Sequence, residues 1–183
     1  MINTKSVKPI LLFVGLLWLI EGVNLAMGNA LNNYGIVPRD LMGLLGLLTA
    51  PFLHGGILHL LGNSLPLIIM SWLVSQQGTY RWVELSVFIS IVAGLLVWLF
   101  ARPASHIGAS ILIFGYWGYL MIFGLLSRSF KDMLIGLITV FLYGGLIFSF
   151  FRYNPSVSIE GHVFGALSGG LFGWLAVKFK DEE

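Results

Sequence analysis

Six polar residues in this chain of 183 stand in apolar surroundings that make each of them costly: Glu21, His54, His59, Asn63, Ser110 and His162. Four of these could do chemistry together, His59, Asn63, Ser110 and His162. His59 and Asn63 are four apart, a spacing that stacks two side chains on one helix face with Cβ atoms roughly 5–6 Å apart. Ser110 follows Gly108-Ala109, behind a Pro- and Gly-containing loop, so its N–H belongs to the unpaired first turn of a helix. His162 opens an apolar run in Glu160-Gly161-His162. A serine hydroxyl is a poor nucleophile until a base within hydrogen-bond reach takes its proton, and histidine is the usual base near neutral pH. The tetrahedral intermediate that follows needs donors aimed at its oxyanion. The set therefore fits acyl transfer to water, with Ser110 as nucleophile and His162 as base. The Ser110 N–H, the Asn63 amide and the His59 imidazole are the oxyanion donors. Glu160 is expected in a loop, leaving a dyad rather than a triad. Singly, each residue has a plainer use: Ser110 as a helix cap, His59 and Asn63 as interhelical glue, His162 as packing. Glu21 reads as a structural carboxyl near the outer end of the first helix.

The elements that must position these residues follow from composition. The chain is 57% apolar and 10% charged, with a mean hydropathy of +0.91, against about 25% charged residues in a soluble domain. Such a chain belongs in a bilayer. Six apolar runs, at about 10–27, 56–75, 83–100, 109–126, 133–151 and 161–179, are each near the ~20 residues that a spanning helix needs. Irregular backbone cannot face lipid, so the expected fold is all-α, six transmembrane helices in a single domain over 1–183. Placing the N-terminus inside puts Lys5, Lys8, Arg81, Arg128, Lys131, Lys178 and Lys180 in inside segments, against Arg39, Arg102 and Arg152 outside. The bias favours both termini inside. Trp18, Trp72, Trp82, Trp98 and Trp174 lie in the outer thirds of their runs, where interface anchors sit. Residues 28–55 form the one long loop, and its apolar Asp40–Leu53 stretch is expected in the outer interface. The first run is too long for a secretory signal core.

The absence of cysteine excludes thiol chemistry and disulfides. Ten scattered basic residues make no nucleic-acid face. The histidines lack an acidic or cysteine partner set, so no metal and no cofactor are expected.

Topology adds an argument that the motifs alone do not. With the N-terminus inside, helices two, four and six start at the outer side, and His59/Asn63, Ser110 and His162 fall in their first two turns. At 1.5 Å per residue the four side chains share a depth of a few to about 10 Å below the outer boundary. The glycines at 161, 165, 169 and 173 form a face at every fourth position. Such a face lets helix six pack closely on a neighbour, expected to be helix four at Gly115 and Gly118.

At these residues the sequence resembles the rhomboid family of intramembrane serine proteases. The matching motifs are His59-x-x-x-Asn63, Gly108-x-Ser110 and His162-x-x-Gly165-x-x-x-Gly169, in order on helices two, four and six. The long first loop with Pro38-Arg39-Asp40 and the Pro51-Phe52-Leu53-His54 approach match as well. The resemblance implies a Ser110/His162 dyad, an oxyanion site that includes His59 and Asn63, and cleavage of transmembrane helices near the outer face. It also implies a supporting role for His54, and for Phe114 as the aromatic that packs on the catalytic histidine. Helix five and the loop after it are implied as the moving gate.

One departure stands out. The family usually has glycine directly after the serine, and this chain has Ile111, which narrows the space beside the nucleophile. That residue alone supports an alternative, an inactive rhomboid-like adaptor that binds transmembrane clients. A small transporter ranks third, because the helix segments inward of the polar layer are almost wholly apolar. The expected partners are transmembrane protein substrates and the lipid bilayer. The expected location is a bacterial inner membrane with the active site opening toward the periplasmic side.

Overall fold

The computed structural model describes residues 5–145 and 158–180. Among these, seven α-helices are present: α1 (Val7–Ala26), the single-turn α2 (Gly46–Thr49), α3 (Ile57–Ser75), α4 (Thr79–Phe100), α5 (Ser110–Leu126), α6 (Phe130–Tyr143) and α7 (Ile159–Lys180). The fold is the expected all-α membrane bundle. The six long helices match the six apolar runs, each beginning within four residues of its expected start. Residues 146–151 of the fifth run and 152–157 of the following loop lie outside the described residues. By length and composition α1, α3 and α4 can each cross a bilayer.

The middle of the bundle is α5. It packs against α3, α4, α6 and α7, and Leu112, Tyr116, Tyr119 and Leu120 on it are almost fully buried. The outer faces carry leucines such as Leu12, Leu19, Leu58 and Leu65, all more than half exposed, which is what a lipid-facing surface requires. Within the bundle, polar side chains also link helices. The Trp82 Nε1–H donates to the Tyr116 hydroxyl at 3.1 Å, and Ser86 Oγ lies 2.7 Å from it, tying α4 to α5. Trp82 is therefore a buried core residue and not an interface anchor. Its place near a helix end suggested the interface, but its N–H found a partner inside.

The closest packing is between α5 and α7. A Cβ on Gly169 would lie 1.8 Å from the Gly115 carbonyl oxygen, and one on Gly165 would lie 2.5 Å from that of Ile111. On the facing side, a Cβ on Gly118 would meet the Ala166 carbonyl oxygen at 2.1 Å. Only glycine allows the two backbones to touch in this way. The helix expected to receive the glycine face is the one that does.

The long loop is ordered by the end of α4. Arg39, at φ +63°, donates from its guanidinium to the carbonyls of Leu99 (3.1 Å) and Ala101 (3.0 Å), groups that the end of a helix leaves without partners. The Asp40 carboxylate accepts from the N–H groups of Met42 and Gly43, and the Trp98 indole donates to the Asp40 carbonyl at 2.7 Å. Leu41, Met42 and Leu48 remain well exposed, as suits a segment resting in an interface.

Candidate active site

Ser110 is the first residue of α5, with Ala109 as its N-cap. The plainer reading of Ser110 as the cap therefore does not describe its place. Its hydroxyl is instead 3.0 Å from Nε2 of His162, in the first turn of α7. Ser110 is half-buried and His162 is buried. The Phe114 ring, one turn below Ser110, stacks on the His162 imidazole with centroids 4.1 Å apart and planes 16° apart. This contact fixes the ring plane of a side chain that would otherwise rotate about χ2.

The approach to Ser110 is built by α3 and the segment before it. Gly108 has φ +120°, a conformation that only glycine holds without strain. A Cβ there would lie 3.0 Å from both Cε1 and Nε2 of His59 and 3.6 Å from Ser110 Oγ. His59 thus sits against the turn that presents the serine. Its Nδ1 accepts the Gly55 N–H at 3.3 Å. The nearby His54 is fully buried, and its Nε2 accepts the Ala109 N–H at 3.3 Å, which joins the start of α3 to the start of α5. Burial and the neighbouring His59 hold the His54 imidazole well below its ordinary value, at about 4.

Asn63 lies one turn below His59 and is buried, and its Nδ2 has no hydrogen-bond partner among the described residues.

Glu21 is buried on α1 and accepts from the Asn24 amide at 3.3 Å. Glu160 departs from expectation. It belongs to the first turn of α7 rather than a loop, and its carboxylate pairs with Arg102, at 3.6 Å to the guanidinium and 3.3 Å to the backbone N–H. Its engagement there is with a cation, away from a triad role.

His106, a loop residue with no role expected of it, is 4% exposed. Its Nδ1 is 2.7 Å from Ser158 Oγ and its Nε2 is 3.0 Å from the Arg102 carbonyl. Burial pushes its pKa down, against the opposing pull of the Arg102 carbonyl and the Glu160 carboxylate. The available signal was arithmetic: His106 precedes Ser110 by four residues, as Ser158 precedes His162.

Beside Ser110 is a cavity of about 10 Å³, lined by Ile36, Val97, Ile107, Ile111 and Gly161 among others. That is room for about one water. Ile111 forms part of its wall.

Comparison with known proteins shows the family. A family model described as the Rhomboid domain matches residues 42–179. The chain is 38% identical over 175 residues to the uncharacterized protein Rv1337 of Mycobacterium tuberculosis, covering 91% of this chain and 73% of that protein. It is 34% identical to the uncharacterized protein ML1171 of Mycobacterium leprae, over 91% of this chain and 69% of the relative. A match at 28% identity, over 74% of this chain and 68% of the relative, is to Bacillus subtilis YdcA, named provisionally as a rhomboid protease. With its apolar helices and a domain match from the long loop to the end of α7, the chain is an integral membrane protein and belongs to the rhomboid family.

Proposed function

We propose that the protein is an intramembrane serine endopeptidase that hydrolyses peptide bonds of transmembrane-helix substrates. The observation that carries this reading is the Ser110 Oγ to His162 Nε2 distance of 3.0 Å, with Phe114 stacked on the imidazole. In the catalytic tautomer His162 accepts the serine proton at Nε2 as Oγ attacks the scissile carbonyl carbon. The oxyanion takes hydrogen bonds from the Ser110 N–H, the Asn63 amide and the His59 imidazole. Collapse expels the amine, which takes the proton from His162, and leaves an ester on Ser110. Water, activated by the same histidine, hydrolyses that ester. His54 and Gly108 hold the turn, while Gly165 and Gly169 bring α7 close enough for His162 to reach.

The substrate helix enters laterally and unwinds locally before its carbonyl reaches Ser110. We assign the gate to α6, which joins the bundle chiefly through α5. The membrane is a bacterial inner membrane, with the site opening to the periplasmic side and both termini inside. No cofactor takes part in this scheme.

The test requires no knowledge of the substrate. Detergent-purified protein is treated with a fluorophosphonate probe for activated serines. Wild type is expected to label, and both Ser110→Ala and His162→Ala to abolish labelling. Folded wild type that stays unlabelled, while an active rhomboid control reacts, would sink the proposal. That result would favour the inactive adaptor reading, which rests on Ile111 and the small cavity beside it. In that case Ser110→Ala would leave client binding intact.

A further inference from the structure

Two Ser–His pairs join the start of α7 to the segment around the start of α5, and they have the same register. Ser110 meets His162 at 3.0 Å, and His106 meets Ser158 at 2.7 Å. Each pair spans 52 residues, the second set four residues before the first on both segments. The upper pair is firmly held. The His106 backbone exchanges two hydrogen bonds with Ile36, at 2.9 and 3.0 Å. With the ring's Nε2–H donated to the Arg102 carbonyl, Nδ1 is left to accept the Ser158 hydroxyl proton. Ser158 in turn starts α7: its Oγ accepts the Gly161 N–H at 3.0 Å and its carbonyl accepts the His162 N–H at 3.2 Å. The Arg102–Glu160 ion pair closes the same junction.

The glycine face of the α5–α7 contact cannot by itself supply what this pair supplies. Glycine against backbone gives close approach, but with a glycine at every fourth position from 161 to 173 a shift of one turn sets glycine where glycine was. A polar pair with one satisfying arrangement is the best-attested way to fix helix register.

We propose that His106 and Ser158 form a register key that sets α7 lengthwise, so that His162 arrives level with Ser110. They are positioning residues, and their catalytic consequence rests on the Ser110/His162 reading above.

His106→Ala and Ser158→Ala are each expected to slow fluorophosphonate labelling on the order of 10- to 100-fold, because a smaller fraction of molecules holds His162 level with Ser110. With a transmembrane reporter substrate the loss should appear in kcat, with KM held within about twofold. The double variant should be no slower than the slower single one, because the two residues act as a unit. Ser158→Thr keeps the hydroxyl and the cap, and should stay within about threefold of wild type. If His106→Ala fails to fold, Ser158→Ala against Ser158→Thr carries the same comparison.

Register is also read without activity. The chain has no cysteine, so spin labels on Leu125→Cys and Leu167→Cys, two exposed sites on α5 and α7, report one distance. Slippage by a turn moves α7 by about 5.4 Å along its axis, so the alanine variants should shift or broaden the distribution. Wild-type labelling rates in both folded alanine variants, or a distribution unchanged from wild type, would overturn the key. An unlabelled wild type would instead count against the protease reading, and the distance would then decide the key alone.

Discussion

Gly108 shows how tightly single residues are set around Ser110. A methyl group there meets two difficulties, a φ of +120° and a His59 ring 3.0 Å away. Gly108→Ala is expected to reduce labelling and turnover by at least about 10²-fold, as for a misplaced catalytic group, while the purified protein remains helical by circular dichroism. Ile111→Ala tests the other side of the serine. Removing the branched side chain should enlarge the 10 Å³ cavity and speed cleavage of reporters that present a larger side chain beside the scissile bond. Unaltered side-chain preference would show that the cavity does not receive substrate. Ser110, His162, His59 and Asn63 could be picked out from sequence because a polar group in an apolar run is conspicuous and helix geometry gives its depth. His106 and Ser158 could not. Both lie in punctuation between runs, where polar residues are ordinary, and the contact that gives them meaning joins positions 52 apart.

At the scale of elements, the α5–α7 contact tolerates no side chain at Gly169, whose Cβ would overlap the Gly115 carbonyl oxygen. Gly169→Leu should separate the helices, lower the melting temperature in detergent by the equivalent of about 1–3 kcal/mol or more of overpacking, and abolish labelling. The junction between α3 and α5 should respond to pH through His54, whose Nε2 accepts the Ala109 N–H only when unprotonated. Its folded pKa of about 4 lies below its ordinary value of 6.5. The unfolded chain therefore binds the proton more readily between these values, so the contribution to stability is complete above pH 6.5 and is lost as pH falls toward about 4. Melting temperature should drop over that interval, and His54→Gln, which can accept the same N–H without titrating, should flatten the slope. The runs of hydropathy made the long helices legible, since each must satisfy its backbone within lipid. The beginning of α7 was less so: Ser158 caps it and carries Glu160 into its first turn, and a cap seen from sequence is only one polar residue among several. The short α2 and its neighbouring turns follow no helical period. Their shape comes from Gly43 and Gly46 packing on the backbone of residues 35–37 and from Arg39 holding the end of α4.

For the molecule as a whole, the seven-to-three distribution of basic residues predicts both termini on the inside. Alkaline phosphatase fused after Lys180 should be inactive, and the same reporter fused within residues 101–108 should be active. The reverse pattern would invert the molecule and place the proposed site on the other face. The bundle also has an order in time. Ser110 enters the membrane with the fourth long helix, but the imidazole that would activate it arrives with the last, more than fifty residues later in synthesis. Until α7 slides its glycines against α5, the serine is an ordinary alcohol at a helix end. On the proposed reading, the growing chain is harmless to itself and to its neighbours in the insertion machinery, and reactivity would belong only to the finished bundle.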